Sequence, residues 1–93
     1  MLLIQRNLAE ALLALDELER AEALLRDGLD AAQASLPPDN VRLAYLHRSL
    51  GRLRARQGRD ADAQLQYRRA HAIYARAFGD AHPATRELYA LLR

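Results

Sequence analysis

The chain repeats itself with a period of 42 residues, and no other feature limits its possible folds as strongly. A shift of 42 positions places apolar on apolar and small on small residues: Ile4 on Leu46, Leu8 on Leu50, Ala9 on Gly51, Ala21 on Ala63, Leu25 on Tyr67, Gly28 on Ala70, Leu36 on Phe78 and Leu46 on Leu88. The turn-forming segments 36–40 and 78–82 also coincide. The 93 residues therefore hold two full repeats and half of a third, which predicts a stack of similar units.

Each repeat carries two helical patterns. Apolar residues recur at spacings of three and four along 4–15, 18–32, 43–53, 63–77 and 84–92. Nineteen alanines and nineteen leucines favour helix throughout. In the first segment the predicted core stripe is Ile4, Leu8, Leu12 and Leu15. Prolines, glycines and short polar breaks separate the segments, so the sequence predicts an all-α chain of five helices.

Particular residues carry a resemblance to a known family. They are Asn7-Leu8-Ala9, Ala21-Glu22, Leu25 and Gly28 in the first repeat, and Leu50-Gly51, Gly58-Arg59, Ala63, Tyr67, Ala70 and Gly79-Asp80-Ala81-His82-Pro83 in the second. The chain resembles the tetratricopeptide repeat, specifically the 42-residue variety of kinesin light chains and many bacterial repeat proteins. This implies tandem antiparallel helical hairpins in a TPR-type α-solenoid of about two and a half repeats. A single domain, 1–93, would comprise repeats at about 2–40 and 41–82 and a final helix at about 83–93.

Three positions depart from the family pattern. Asp16 replaces the turn glycine, Arg54 stands where a bulky apolar residue is usual, and Asn40-Val41 replaces His-Pro in the first loop. Aspartate tolerates left-handed backbone better than most residues, so the turn at Asp16 is still expected. Either Asp39 or Asn40 can cap the helix that follows.

The residue types argue against catalysis, a metal site and a membrane span. The four glycines are isolated, there is no cysteine, and His47, His71 and His82 lack the spacing of metal ligands. No catalytic residue, metal or cofactor is therefore predicted. No apolar run approaches the roughly 18 residues that cross a bilayer, and no basic segment precedes the apolar start of the chain. A cytoplasmic protein is expected.

Charge is unevenly spread along the chain. Residues 1–40 carry a net charge of −5 and residues 41–93 a net charge of +7. Six arginines lie between positions 42 and 59 without a single acid. Such a helix can follow nucleic-acid phosphates, but no aromatic side chains interleave to stack on bases. Nucleic-acid binding is therefore the third and least favoured interpretation.

In proteins similar to this one, the first helix of each repeat lines a concave wall. The resemblance therefore implies a peptide-binding groove lined by Leu3, Arg6, Asn7, Glu10, Leu13, Tyr45, Arg48, Ser49, Arg52 and Glu87. Its arginines would form a basic floor, so the favoured partner is a protein or peptide, and an acidic peptide is expected to bind best. Glu10 and Ser49 break the pattern of the chaperone-tail clamp of some family members, and that ligand is not expected.

The alternative function is self-assembly. Apolar residues stand at both ends of the repeat array: Met1–Ile4 begin it, and Leu88, Leu91 and Leu92 lie on the lone last helix. Each hairpin of a solenoid buries its apolar face only against a neighbour. Self-association would supply the missing neighbour, and a homodimer is expected because closed symmetric dimers are commoner than open chains.

Overall fold

The computed structural model describes residues 10–93, which form five helices and no strand. The helices are α1 (described at 10–14), α2 (Leu18–Ser35), α3 (Val41–Arg56), α4 (Asp60–Phe78) and α5 (Pro83–Leu91). Along the array, α2 packs on α3, α3 on α4 and α4 on α5. This architecture confirms the all-α repeat of helical hairpins that the sequence predicts.

A single core of leucine, alanine and tyrosine joins the helices. Its buried members include Ala21, Leu25, Ala32, Leu43, Leu46, Leu50, Leu53, Ala63, Tyr67, Ala70, Tyr74 and Leu88. They lie on the stripes with helical spacing, because only one face of each helix meets its neighbours. At Gly51 the helix α3 approaches α4 so closely that a Cβ atom would lie 2.5 Å from Cε1 of Tyr67.

The turns follow the chemistry of their residues. Asp16 has a φ of 62°, so the aspartate takes the left-handed conformation expected of it. Asn40 caps α3, because its side-chain oxygen accepts a hydrogen bond from the backbone N–H of Arg42 at 2.9 Å. The cap of α5 is His82, and Pro83 occupies the first turn of that helix, where its missing amide costs little.

Three residues predicted on core stripes are exposed because they lie where a helix ends. Leu15 is 71% exposed. It follows the last residue of α1 and belongs to the turn through Asp16, so it no longer continues the helical register. Ala77 and Leu91, in the last turns of α4 and α5, are exposed as well.

Leu13 also differs from the prediction, which placed it in the groove. It is buried with Leu12 in the core. The chain reverses immediately after these two leucines, and their carbonyl groups accept hydrogen bonds from the amides of Asp16 and Glu17. Both leucines are therefore enclosed, and Leu13 contributes to stability.

Candidate functional site

Two ion pairs link the first helices of the three repeat units. Arg52 of α3 lies 3.5 Å from the carboxylate of Glu10 in α1. Arg48, one turn earlier on α3, lies 2.6 Å from the carboxylate of Glu87 in α5. With Tyr45, which occupies the same face of α3, these residues form what we call the ion-paired surface.

The structure thus brings together five of the predicted groove residues and places Ser49 differently. Ser49 is 1% exposed, and its hydroxyl donates a hydrogen bond to Glu10 at 3.0 Å. This serine holds Glu10 in place and does not face an open groove. Leu3, Arg6 and Asn7 lie outside the described residues.

The sequence does not predict that Tyr67 and Arg93 lie near the arginines of the ion-paired surface. Burial raises the pKa of Tyr67, while the positive charges of Arg52, Arg48 and Arg93 act in the opposite direction. The three guanidinium groups therefore lie close enough to influence the phenol electrostatically. Tyr67 lies on a core stripe, so apolar periodicity carries no signal of this electrostatic effect.

Five of the six arginines between positions 42 and 59 have an acidic partner in the folded chain. Among the described residues, Arg48, Arg52, Arg54, Arg56 and Arg59 each form an ion pair with a carboxylate. Most of these partners lie on other helices, at distant positions in the sequence. Any anionic ligand, a nucleic-acid phosphate included, would have to displace them.

Arg54, at a position usually apolar, belongs to a polar cluster between α2 and α3. Its side chain is only 14% exposed and lies 2.6 Å from the carboxylate of Glu22. Gln57 donates a second hydrogen bond to the same oxygen at 3.2 Å. The hydrogen bonds from Gln57 and Arg54 lower the pKa of Glu22. Arg54 thus packs its apolar stem between helices and keeps its charge paired.

The three histidines have separate structural surroundings. His47 is buried in α3, and its Nδ1 donates to the side-chain oxygen of Gln66 at 2.8 Å. His71 faces Tyr89, with ring centroids 6.0 Å apart, and His82 caps α5. Within residues 10–93, no group of three His, Cys, Asp or Glu side chains could hold a metal ion.

Acid is expected to destabilise the fold as the pH falls below 6.5, the ordinary pKa of histidine. Burial lowers the pKa of His47, so this residue takes up a proton in the unfolded chain at a higher pH than in the folded chain. The contribution of neutral His47 to folding stability is therefore fully present above pH 6.5. It is lost as the pH falls from 6.5 toward the lower pKa that His47 has in the folded chain. Urea unfolding at several pH values should show a flatter profile for His47→Gln. Identical slopes for the two proteins would contradict the assignment.

The comparisons with known proteins agree with this architecture. A family model described as tetratricopeptide repeat matches residues 1–76, a range that includes α2, α3 and most of α4. No curated protein and no solved structure matches the chain. In the part of the chain that the structure describes, no helix combines the length and apolar character that crossing a membrane requires.

Proposed function

The chain belongs to the tetratricopeptide repeat family, and we propose that it binds a protein or peptide partner on its ion-paired surface. Members of this family generally mediate protein–protein interactions and are generally non-catalytic. The supporting observation is that α1, α3 and α5 direct charged side chains onto one surface. The kinesin-light-chain-like subtype and the cytoplasmic location stay predictions.

An acidic partner suits this surface because its arginines are only partly satisfied. The pair between Arg52 and Glu10 spans 3.5 Å, and the Arg52 side chain is half exposed. Such a pair contributes roughly 0.2–1 kcal/mol, so a ligand carboxylate can replace Glu10 at little cost.

Reversing both arginines, in Arg48→Glu with Arg52→Glu, is expected to lower the affinity for an acidic peptide at least tenfold. The reversal replaces attraction by repulsion at the positions that would contact the ligand carboxylates. Fluorescence anisotropy with a labelled glutamate-rich peptide carrying one phenylalanine measures the effect. Circular dichroism confirms that the double variant is folded.

The matched control reverses two exposed arginines outside the surface, Arg42 and Arg68, neither of which forms an ion pair among the described residues. It should keep most of the affinity. A second variant, Glu10→Gln, should bind the peptide more tightly because it frees Arg52. Equal losses in the two double variants would reduce the interaction to non-specific charge attraction and refute the proposed site.

Self-association is a second candidate function, and the exposure of Tyr89 favours it. This ring is 72% exposed on α5, and Phe78 and Leu91 nearby are exposed too. Among the described residues, three of the five exposed large apolar side chains thus lie at this end of the array. A homodimer that covers Tyr89 would remove apolar surface from water.

A further inference from the structure

We propose that two copies of the chain pair through a pocket between α4 and α5, related by a two-fold axis. The pocket has a volume of about 540 Å³ and is lined by His71, Asp80, Arg86, Tyr89 and Ala90, which we call the end surface. This inference rests on the self-association proposal and names its surface. It is independent of peptide binding on the ion-paired surface.

The 42-residue repeat shows what normally covers such a surface. Asp80 and Tyr89 correspond to Pro38 and His47, which line a smaller pocket of about 280 Å³ in the preceding repeat. There α4 packs on α3, so that His47 is 5% exposed and bonds to Gln66. The end surface is therefore the counterpart of a surface that a helix covers within the same molecule.

Within residues 10–93, Tyr89 has no such cover. Its ring contacts His71, and no helix in the described part of the chain packs on α5 from the side opposite α4. Aromatic side chains of this kind dominate the energetics of protein interfaces when they become buried. Burying Tyr89 against a second copy would restore at α5 the packing that α3 already has.

The charges of the end surface identify a second copy as the partner. Asp80 and Arg86 line the same pocket, are exposed, and form no ion pair among residues 10–93. In a two-fold contact, residue i of one copy meets residue j of the other, and j meets i. Asp80 of each copy can then face Arg86 of its partner, so one acid and one base make the pocket complementary to itself.

The test uses two single charge reversals, Asp80→Arg and Arg86→Asp, in the full chain. Light scattering after size exclusion should give the native protein twice its chain mass of 10.5 kDa. Each variant alone should be monomeric, because both contacts across the axis become repulsive. An equimolar mixture of the two variants should recover the dimer mass, because both contacts of a mixed dimer are again attractive.

The matched control, Asp27→Arg, makes the same change in charge on an exposed residue of α2 and should leave the dimer intact. Single variants that stay dimeric, or a mixture that stays monomeric, would overturn the end surface as the interface. Assemblies that grow with concentration would overturn the two-fold geometry. A native mass of 10.5 kDa at every concentration would overturn self-association as well, whereas peptide binding would be unaffected.

Discussion

Replacing Gly51 with valine is expected to destabilise the fold by about 3 kcal/mol. Overpacking a close-packed core typically costs about 1–3 kcal/mol, and valine is larger and stiffer than alanine at χ1. Even the first added carbon would lie 2.5 Å from the buried ring of Tyr67. Urea unfolding followed by circular dichroism measures the loss. The control Ala55→Val, at an exposed position of the same helix, should cost well under 1 kcal/mol.

The internal repeat suggests a second change that should compensate for a smaller substitution at the same position, Gly51→Ala. Ala9 and Leu25 occupy the positions that correspond to Gly51 and Tyr67. Combining Gly51→Ala with Tyr67→Leu copies that pair of residue types into the second repeat. We expect the double variant to be more stable than the summed single effects predict, by about 1 kcal/mol. Strict additivity would mean that the ring of Tyr67 is not what restricts Gly51.

The helices and their order were predictable because they depend on local patterns. Apolar spacing identifies each helix, and the 42-residue period identifies its neighbours. The left-handed turn at Asp16 could likewise be predicted from one residue and its place in the repeat. Each of these inferences needs only residues that are close in sequence or equivalent in the two repeats.

The sequence places Glu10 and Glu87 in the groove beside the arginines, but it does not predict that they pair with Arg52 and Arg48. Glu10 lies 42 residues before Arg52, and Glu87 lies 39 residues after Arg48. The charge was summed over stretches of the sequence, whereas these ion pairs join different helices. A charge count along the chain therefore overstated the basic character of this face.

The burial of individual side chains at the edge of a helical stripe was also not predictable from the sequence. Ser49 and Leu13 were assigned to the groove by their place on a helical face, yet both are buried. A helix turns by about 100° per residue, so neighbouring positions at the edge of a stripe differ sharply in burial. Packing of the next helix decides such cases, and a pattern on one helix does not contain that information.

Stability is also expected to be distributed unevenly along the array. In the described chain α3 has helices packed on both sides, whereas α5 packs mainly on α4 and reaches α3 through the ion pair of Glu87 with Arg48. α5 has nine residues, fewer than the roughly 12–15 that an isolated helix needs to be even marginally stable. Its structure therefore depends on docking, through the buried Leu88 and through Gln64, which bonds to the backbone of Leu91 and Arg93.

Replacing Leu88 with alanine is therefore expected to undock α5 without unfolding the remaining helices. Removing a fully buried leucine costs about 2–5 kcal/mol. We expect this loss to exceed the free energy that holds the nine-residue α5 against the other helices. Hydrogen exchange should become fast in α5 and stay slow in α3. The equivalent change in the second repeat, Leu46→Ala, removes a leucine enclosed between helices and should lower the stability of the whole fold.

The control on the same helix is Leu91→Ala, which alters a residue that is 37% exposed and should have a much smaller effect. If Leu88→Ala and Leu46→Ala speed exchange equally in every helix, α5 is not a separate unit. Undocking would also remove Glu87 from Arg48 and dismantle the end surface. Leu88→Ala should therefore free the Arg48 guanidinium for an acidic peptide while abolishing the dimer, and these opposite effects separate the two proposed contacts.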